Sequence, residues 1–208
     1  VAVTVRAGSK AEMALPDGTF VHLNAATNLE YDVNNSKQRL VKLSGEAFFD
    51  VAKNPDCPFK VIINDLQIEV VGTSFNVKTY KKDIVETSLL SGRIRISGGS
   101  LPHEYTLSPG QKATYSAMDR TLRISKADAH VEAGWRDNYL IFESTPLIDV
   151  IAQIERWYGV EIRLHHKQIA QDLLSGSFRN ESIQNVIRSL SIQYGFKYEI
   201  HKDIITIY

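Results

Sequence analysis

The chain has 208 residues, of which 43% are hydrophobic and 23% are charged, as is typical of a globular protein. At roughly 100–200 residues per domain, this length predicts one or two domains. The 24 basic residues balance 24 acidic ones, so the chain lacks the basic excess or basic stripe of a strong nucleic-acid binder. We therefore expect no nucleic-acid partner.

The termini and the single cysteine carry limited information. No apolar run approaches the roughly 20 residues that a membrane span needs. The chain starts at Val1 without the basic-then-apolar pattern of a signal peptide, so we expect Val1 to be the boundary of a fragment whose anchoring segments lie elsewhere. Cys57 cannot form an internal disulfide, and we expect a small, semi-buried thiol.

Residues 1–130 carry a strand-like pattern. In the segment 66–70, Leu66, Ile68 and Val70 alternate with polar residues, which is typical of a half-buried strand. The same alternation recurs at Val41 and Leu43; at Ala47, Phe49 and Val51; at Phe75 and Val77; and at Ile94 and Ile96. Turn residues separate these runs at Pro16-Asp17-Gly18, Asn34-Asn35, Asn54-Pro55-Asp56, Ser97-Gly98-Gly99 and Pro109-Gly110. The pattern predicts an all-β, sandwich or barrel-like domain.

Two helices are predicted after a linker at 131–138. Residues 146–158 place apolar side chains at helical spacing, with Ser144 or Thr145 as the cap, Pro146 in the first turn and Gly159 at the end. Residues 181–194 repeat the pattern, with Asn180 as the cap and Gly195 at the end. The two core stripes are Leu147, Ile151, Ile154 and Tyr158, and Ile183, Val186, Ile187, Leu190 and Tyr194.

The two helical segments align without a gap. Phe142 and Phe178 begin copies that each contain a strand, a helix and a strand, and Asp203–Tyr208 adds a further strand through a turn at Lys202. Since one βαβ unit cannot cover its own apolar face, a second copy completes the layer. The sequence thus predicts an α+β chain, with an all-β domain followed by a two-layer α/β domain at 139–208 built from a repeated βαβ unit.

Known catalytic and metal-binding patterns are absent from the sequence. It contains no Walker A loop, G-x-G-x-x-G, G-x-S-x-G, H-E-x-x-H or zinc-type Cys/His spacing. The adjacent His165 and His166 point to opposite faces of a strand and cannot hold one metal. Glu46 and Asp50 would lie about 13 Å apart along a strand, beyond the separations that glycosidases use. We expect no enzyme activity, no cofactor and no metal.

Several segments together resemble the FecR family of anti-sigma factors. They are LPDGTFVHLNAATNLEYD, RLVKLSGEAFFDVAKNPDCPFKV, IEVVGTSFNVKTY, SLLSGRIRI, LSPGQKATY and WRDNYLIFESTPLIDVIAQIERWYGVEI. The last is similar to the Bacteroidetes-type members. The family's glycines and prolines have a structural interpretation here, because they shape turns and tight packing. They are Pro16, Gly18, Gly45, Gly72, Gly92, Pro109 and Gly110.

The resemblance implies the periplasmic portion of a single-pass inner-membrane protein. Its partner would be the signalling domain of an outer-membrane TonB-dependent transporter, and an extracytoplasmic-function sigma factor would bind a cytoplasmic segment that is absent here. The membrane span is likewise absent and is expected upstream. The second domain is similar to the short βαβ modules at the amino terminus of such transporters and of secretins.

The open edges of a small sheet are the predicted partner surface, because an uncovered strand can accept another strand. We expect this edge on the terminal hairpin, Tyr198–Ile200 with Ile204–Ile207, or on the strand Leu173–Phe178. The predicted partner-binding residues are Leu173, Ser175, Phe178, Tyr198, Ile200, Ile204 and Ile207. The alternative is a carbohydrate-binding β module that reads glycan through Trp135 or an exposed tyrosine.

Overall fold

The computed structural model describes residues 1–32, 39–165 and 167–208. The predicted turn at Asn34-Asn35 and the residue His166 lie outside these residues. The chain divides into two compact units. Unit 1 contains Val1–Val5 and Lys10–Ala133, and unit 2 contains Arg6–Ser9 and Gly134–Tyr208.

Unit 1 forms two sheets of seven described strands each. The first contains, in hydrogen-bonded order, β1 (Ala2–Val5), β4 (Thr27–Tyr31), β5 (Arg39–Ser44), β7 (Phe59–Ile63), β8 (Leu66–Val70), β11 (Ile94–Gly98) and β12 (Tyr105–Leu107). The second contains β14 (Thr121–Lys126), β13 (Gln111–Ser116), β10 (Ile84–Ser91), β9 (Ser74–Lys78), β6 (Glu46–Asp50), β3 (Phe20–Leu23) and β2 (Ala11–Ala14). Among these described strands all neighbours are antiparallel except β5 and β7.

One apolar core joins the two sheets of unit 1. Phe49 and Phe75 from the second sheet stack with ring centroids 5.2 Å apart, and Phe59 from the first sheet lies 5.8 Å from Phe49. All three rings are buried. Alternate side chains of the predicted strands reach this core, as the period-two pattern indicated, so the prediction of a β-rich first domain is confirmed.

Glycine is required at two points where the chain crosses from one sheet to the other. Gly45, between β5 and β6, has φ +114°, and a Cβ there would lie 2.7 Å from the Cα of Thr27. Gly92, between β10 and β11, has φ +90°, and a Cβ would lie 2.8 Å from the carbonyl oxygen of Gly72. Both the backbone angle and the close approach therefore exclude a side chain.

The buried guanidinium of Arg39 ties the β2–β3 and β6–β7 loops of unit 1 together. Its Nε donates to the carbonyl of Cys57 at 2.6 Å, and its Nη1 donates to the carbonyl of Ala52 at 2.7 Å. The same Nη1 forms an ion pair with the Asp17 carboxylate at 3.1 Å. A charge buried in this way requires every one of these partners, because desolvation otherwise makes it costly.

The segment predicted as a linker, 131–138, contains helical turns. Helix α1 spans Ala129–Ala133 and ends unit 1, and a 3₁₀ turn at Gly134–Asp137 begins the main part of unit 2. Ala133, Gly134 and Trp135 are buried. The polar sequence around them gave no helical period long enough to reveal these short turns.

Unit 2 contains two helices, a two-stranded sheet and a three-stranded sheet among its described residues. Strand β15 (Tyr139–Pro146) pairs antiparallel with β17 (Leu173–Arg179). Strand β19 (Ile204–Ile207) lies between β16 (Glu161–Leu164), which is parallel to it, and β18 (Tyr198–His201), which is antiparallel. Helix α2 is Leu147–Tyr158 and α3 is Ile183–Tyr194, with a 3₁₀ turn at Lys167–Ile169.

Strand, helix and strand occur twice in unit 2, but not as two independent sheets. The first strands of the two segments, β15 and β17, pair with each other, and the second strands, β16 and β18, flank β19. A single core contains side chains from both helices and both sheets. The two strand–helix–strand segments therefore share one core, and neither forms a separate sheet.

Both predicted helices are present, with caps that differ from the prediction. Gly159 and Gly195 end them in the left-handed conformation, as predicted. The N-cap of α2 is Pro146, which has no side-chain acceptor, and the Thr145 hydroxyl bonds to the backbone of Glu143. The cap of α3 is Ser182, which accepts from the backbone N–H of Asn185, and the predicted cap Asn180 lies before it at φ +52°.

We predict that Arg39→Met lowers the free energy of unfolding of unit 1 by about 3 kcal/mol, because Asp17 and several carbonyls lose a buried donor. Urea denaturation followed by far-ultraviolet circular dichroism measures the loss. Arg93→Met is the matched control, since Arg93 is exposed. Equal stability of the two variants would contradict the role assigned to Arg39.

Candidate functional site: the open strand edges of unit 2

Strand β17 has one hydrogen-bonded neighbour and one open side within the described residues. At its two ends the backbone N–H of Asn180 donates to Asn138 at 3.4 Å, and the carbonyl of Asp172 accepts from Leu147 at 2.8 Å. Even-numbered peptide groups of β17 therefore face β15, and odd-numbered groups face away. The peptide groups of Ser175, Ser177 and Arg179 point to the open side.

Two predicted contact residues of β17, Leu173 and Ser175, already form hydrogen bonds within unit 2. The carbonyl of Leu173 accepts from the Tyr194 hydroxyl at 3.2 Å, and the Ser175 hydroxyl accepts from the backbone N–H of Ser144 at 2.9 Å. The Leu173 side chain remains 59% exposed. Phe178 is half-buried and packs edge-on against Phe142, with centroids 6.4 Å apart. The open edge therefore combines apolar side chains with backbone donors and acceptors.

Strand β18 offers a second, shorter edge. The backbone N–H of Tyr208 donates to the carbonyl of Lys197 at 2.9 Å, which fixes the phase of its pairing with β19. The peptide groups of Tyr198 and Ile200 then face away from β19. Both side chains are half-buried and pack against the core of unit 2. The structure places these two predicted residues on an edge strand.

The prediction that Ile204–Ile207 offers an open edge is wrong. Strand β19 is the central strand of its sheet, so its backbone is paired on both sides. Ile207 is also buried, at 1% exposure, and Ile204 is half-buried. The sequence showed a final hairpin but did not reveal that β16 returns to pair with it. Proline at Ile205 or Ile207 would break the sheet rather than test an edge.

The opposite edge of this sheet, β16, is already partly occupied. The backbone N–H of Ile162, which points away from β19, donates to the Glu155 carboxylate of α2 at 2.7 Å. Glu155 therefore supplies the acceptor that a further strand would offer. Of the predicted edges, β17 and β18 remain open among the described strands, and β17, with seven residues, is the longer of these two. Strand β15, the partner of β17, also has an open side and was not among the predicted edges.

A groove that the sequence analysis missed lies between Phe178 and the exposed face of α3. Its volume is about 380 Å³, and it is lined by Phe178, Glu181, Asn185, Arg188, Ser189 and Ile192. Ile192 is 75% exposed. An isoleucine on the polar side of an amphipathic helix was the available sequence signal, because it lies off the predicted core stripe.

The charges around this groove are unequally paired. The Glu181 carboxylate accepts from the Asn185 amide at 2.9 Å. The Arg179 guanidinium lies over the Tyr139 ring, 4.7 Å from its centroid. Within the described part of the chain, Arg188 has no ion pair and its side chain is exposed. Arg188 lies seven residues after Glu181, about 10 Å along the helix axis, so the Arg188 end of the groove favours an incoming carboxylate.

Two tyrosines at equivalent helix positions connect the segments of unit 2. The Tyr158 hydroxyl donates to the carbonyl of Glu181 at 2.8 Å, as the Tyr194 hydroxyl does to Leu173. Burial, followed by nearby carboxylates, raises the pKa of both phenols. Both side chains are half-buried against the core, so they act as packing residues with a polar end, as the sequence analysis proposed.

The carboxylate pair considered for catalysis is divided between two environments. Glu46 is buried and accepts from the amides of Asn24 at 2.7 Å and Asn76 at 3.0 Å, whereas Asp50 is exposed and accepts from the Ser74 hydroxyl. Burial lowers the pKa of Lys10 to about 8, although the Glu46 charge favours its protonated form. Glu46 thus serves as an acceptor for two buried amides.

The remaining side chains considered as binding or metal-ligating residues have structural roles. Trp135, the proposed glycan reader, is 6% exposed and belongs to unit 2 rather than to the β unit, so it cannot stack on a sugar. Trp157 is half-buried and packs against the core of unit 2. His165 stacks on Tyr208, with centroids 5.8 Å apart. Over the ranges that the structure describes, no three His, Cys, Asp or Glu side chains are grouped to hold a metal.

A charge cluster attaches α1 to the second sheet of unit 1. Lys112 Nζ lies 3.1 Å from Glu86 and 2.8 Å from Glu132, which is on α1. Burial alone would raise the pKa of Glu86, but the charges of Lys112, Lys78 and Lys81 outweigh it and hold that pKa below its ordinary value. Burial opposes protonation of Lys112 too, and Glu86 and Glu132 nevertheless raise its pKa.

The geometry defines a class: a β-sandwich unit followed by a small α/β unit with open strand edges. None of the described helices has the length and apolar character needed to cross a bilayer. The profile named FecR protein matches residues 1–95, and the profile named FecR, C-terminal, matches residues 139–207. No curated protein matches the chain significantly.

Two crystal structures of a candidate anti-sigma factor from Parabacteroides distasonis ATCC 8503, at 1.65 and 2.50 Å resolution, resemble the chain over its whole length. Each has 30% sequence identity and a TM-score of 0.89, and the match covers 100% of this chain and 98% of the other. The chain belongs to the FecR family of anti-sigma factors.

We predict that Lys112→Met destabilises unit 1 by roughly 1–2 kcal/mol at pH 7, because two partly buried carboxylates lose their cation. The folded pKa of Glu86 is depressed, so its contribution is present above its unfolded pKa and is lost as pH falls through the folded pKa. The difference between wild type and variant should therefore shrink in acid. Urea midpoints measured from pH 7 down to pH 3 check this, and a constant difference would contradict it.

Proposed function

We propose that this chain is the periplasmic sensor portion of a transmembrane anti-sigma factor. It relays the state of an outer-membrane TonB-dependent transporter to an extracytoplasmic-function sigma factor. Membership of the FecR family supports the anti-sigma role. The sigma factor binds a cytoplasmic segment, and a membrane span joins that segment to this chain. The transporter's signalling domain is then the partner that contacts the residues described here.

The observation that carries the transporter contact is the open edge of β17 in the unit that matches the FecR C-terminal profile. A signalling domain that presents its own edge strand can hydrogen-bond to the outward peptide groups of Ser175, Ser177 and Arg179. Leu173 and Phe178 add apolar contact. Tyr198 and Ile200 on β18 are the second proposed contact.

The doubled strand–helix–strand order supports the same proposal. We infer that the segments beginning at Phe142 and Phe178 are copies of one βαβ unit, and that 139–208 is a signalling-type domain like those of transporters and secretins. Domains of like shape present like edges, so pairing between two of them needs no new type of interface.

We predict that Ser177→Pro weakens binding to the transporter's signalling domain by at least about tenfold, or roughly 1.4 kcal/mol. Proline removes the outward N–H of residue 177 and leaves the bonds of Phe178 and Gly176 to β15 in place. Calorimetry with the isolated signalling domain of a TonB-dependent transporter from the same organism measures the change.

Ser177→Ala is the matched control for this experiment, because it shortens the same side chain and keeps the N–H. Circular dichroism and the thermal midpoint establish that both variants are folded. Binding by the proline variant equal to that of the alanine variant would show that β17 is not the contact edge. A wild-type chain that does not bind the signalling domain at all would contradict the proposed partner.

A further inference from the structure

The groove beside Phe178 lies on the unpaired side of β17. On the side facing the helices, the neighbour of Phe178 in β15 is Leu140, which is buried. The position beside Phe178 toward β15 is therefore filled. The open volume that Phe178 shares with α3 must adjoin the other side, where the peptide groups of Ser177 and Arg179 are unpaired.

The next helix-facing position of β17 also has free space. Gly176 has no heavy atom within 4 Å of where its Cβ would be. Helix α3 runs back along β17, because its last residue, Tyr194, donates to the carbonyl of Leu173 at the start of β17. From the rise of a strand and of a helix, Gly176 is level with the middle of α3, where Arg188 and Ser189 are exposed. A strand added to β17 would thus place one side chain beside Phe178 and another, two residues away, opposite Gly176.

The chemistry of these two positions differs. Phe178 offers apolar contact to one side chain, and the 75% exposed Ile192, one turn beyond Arg188 on α3, extends the apolar lining past the second position. Arg188, which has no ion pair within the described residues, offers a cation to the other, and the Glu181 charge lies seven residues earlier, about 10 Å along the helix axis. A carboxylate placed there would gain a charge-assisted hydrogen bond, whereas a lysine would meet like charge.

We propose that the groove lined by Phe178, Glu181, Asn185, Arg188, Ser189 and Ile192 selects the strand that adds to β17. The selected strand carries an apolar residue and an acidic residue two positions apart on its helix-facing side. The inference rests on the proposed strand addition and deepens it, because backbone pairing supplies affinity without sequence preference while this groove supplies the preference.

The test uses the full chain, labelled with ¹⁵N, and two synthetic nine-residue peptides. Both alternate threonine with other residues; the first carries isoleucine and aspartate two positions apart, and in the second lysine replaces aspartate. We expect the aspartate peptide to bind at least about fivefold more tightly, a preference that weakens as salt screens the charges. Chemical-shift changes should fall on Ser175, Ser177 and the exposed face of α3.

Arg188→Glu should reverse the preference between the two peptides. Arg123→Glu is the matched control, because it makes the same charge change at an exposed site of unit 1, and it should leave the preference unchanged. Equal binding of the two peptides by wild type, no saturable shift at millimolar peptide, or an unaltered preference in Arg188→Glu would each overturn the inference.

Two further outcomes separate this inference from the proposed function. If the transporter's signalling domain does not bind but the peptides are discriminated, the partner assignment fails and the groove assignment stands. If the signalling domain binds wild type and Arg188→Glu equally, the groove assignment fails alone. Light scattering that shows a dimer, with shift changes on β17 as concentration rises, would make a second copy of this chain the occupant and overturn the proposal.

Discussion

Backbone hydrogen bonding is the constraint that distinguishes the two units. In unit 1 the backbone groups of the strands pair within two broad sheets whose inner faces share one core. Edge strands are therefore a minority of its described strands. Unit 2 divides five described strands between a pair and a triplet, which gives each strand except β19 an edge. Edge strands are normally protected. In unit 2 Glu155 protects β16, whereas β17 has a helix and a groove beside it.

The two units also place their charges differently. Unit 1 uses buried charge to hold loops and a helix in position, through Arg39 with Asp17 and through Lys112 with Glu86 and Glu132. These groups have their partners within the unit. Arg188 in unit 2 is exposed and has no ion pair in the described part of the chain. An exposed cation without an ion pair, on the helix that runs along β17, is a suitable feature for partner selection.

The sequence predicted a helix well where the spacing of its apolar residues and its terminal residues agree. The core stripes of α2 and α3 and their terminal glycines required only helical spacing and a left-handed cap. The helix starts were less certain, since serine, threonine and asparagine all suit a cap and only the chain's path selects Ser182 over Asn180. Trp135 was misjudged because exposure depends on what packs around a residue.

What the sequence determined by itself was several strands of the first unit, the two longer helices, the order of a β-rich part before an α/β part, and the resemblance to the FecR family. The strands and helices depend on residue spacing within a short segment, and the resemblance depends on several such segments in order. Only the tertiary structure decided which strands are edges, because pairing joins segments far apart in the chain. The pairing of β16 with β19 removed Ile204 and Ile207 from the open edge, and the approach of α3 to Phe178 created the groove.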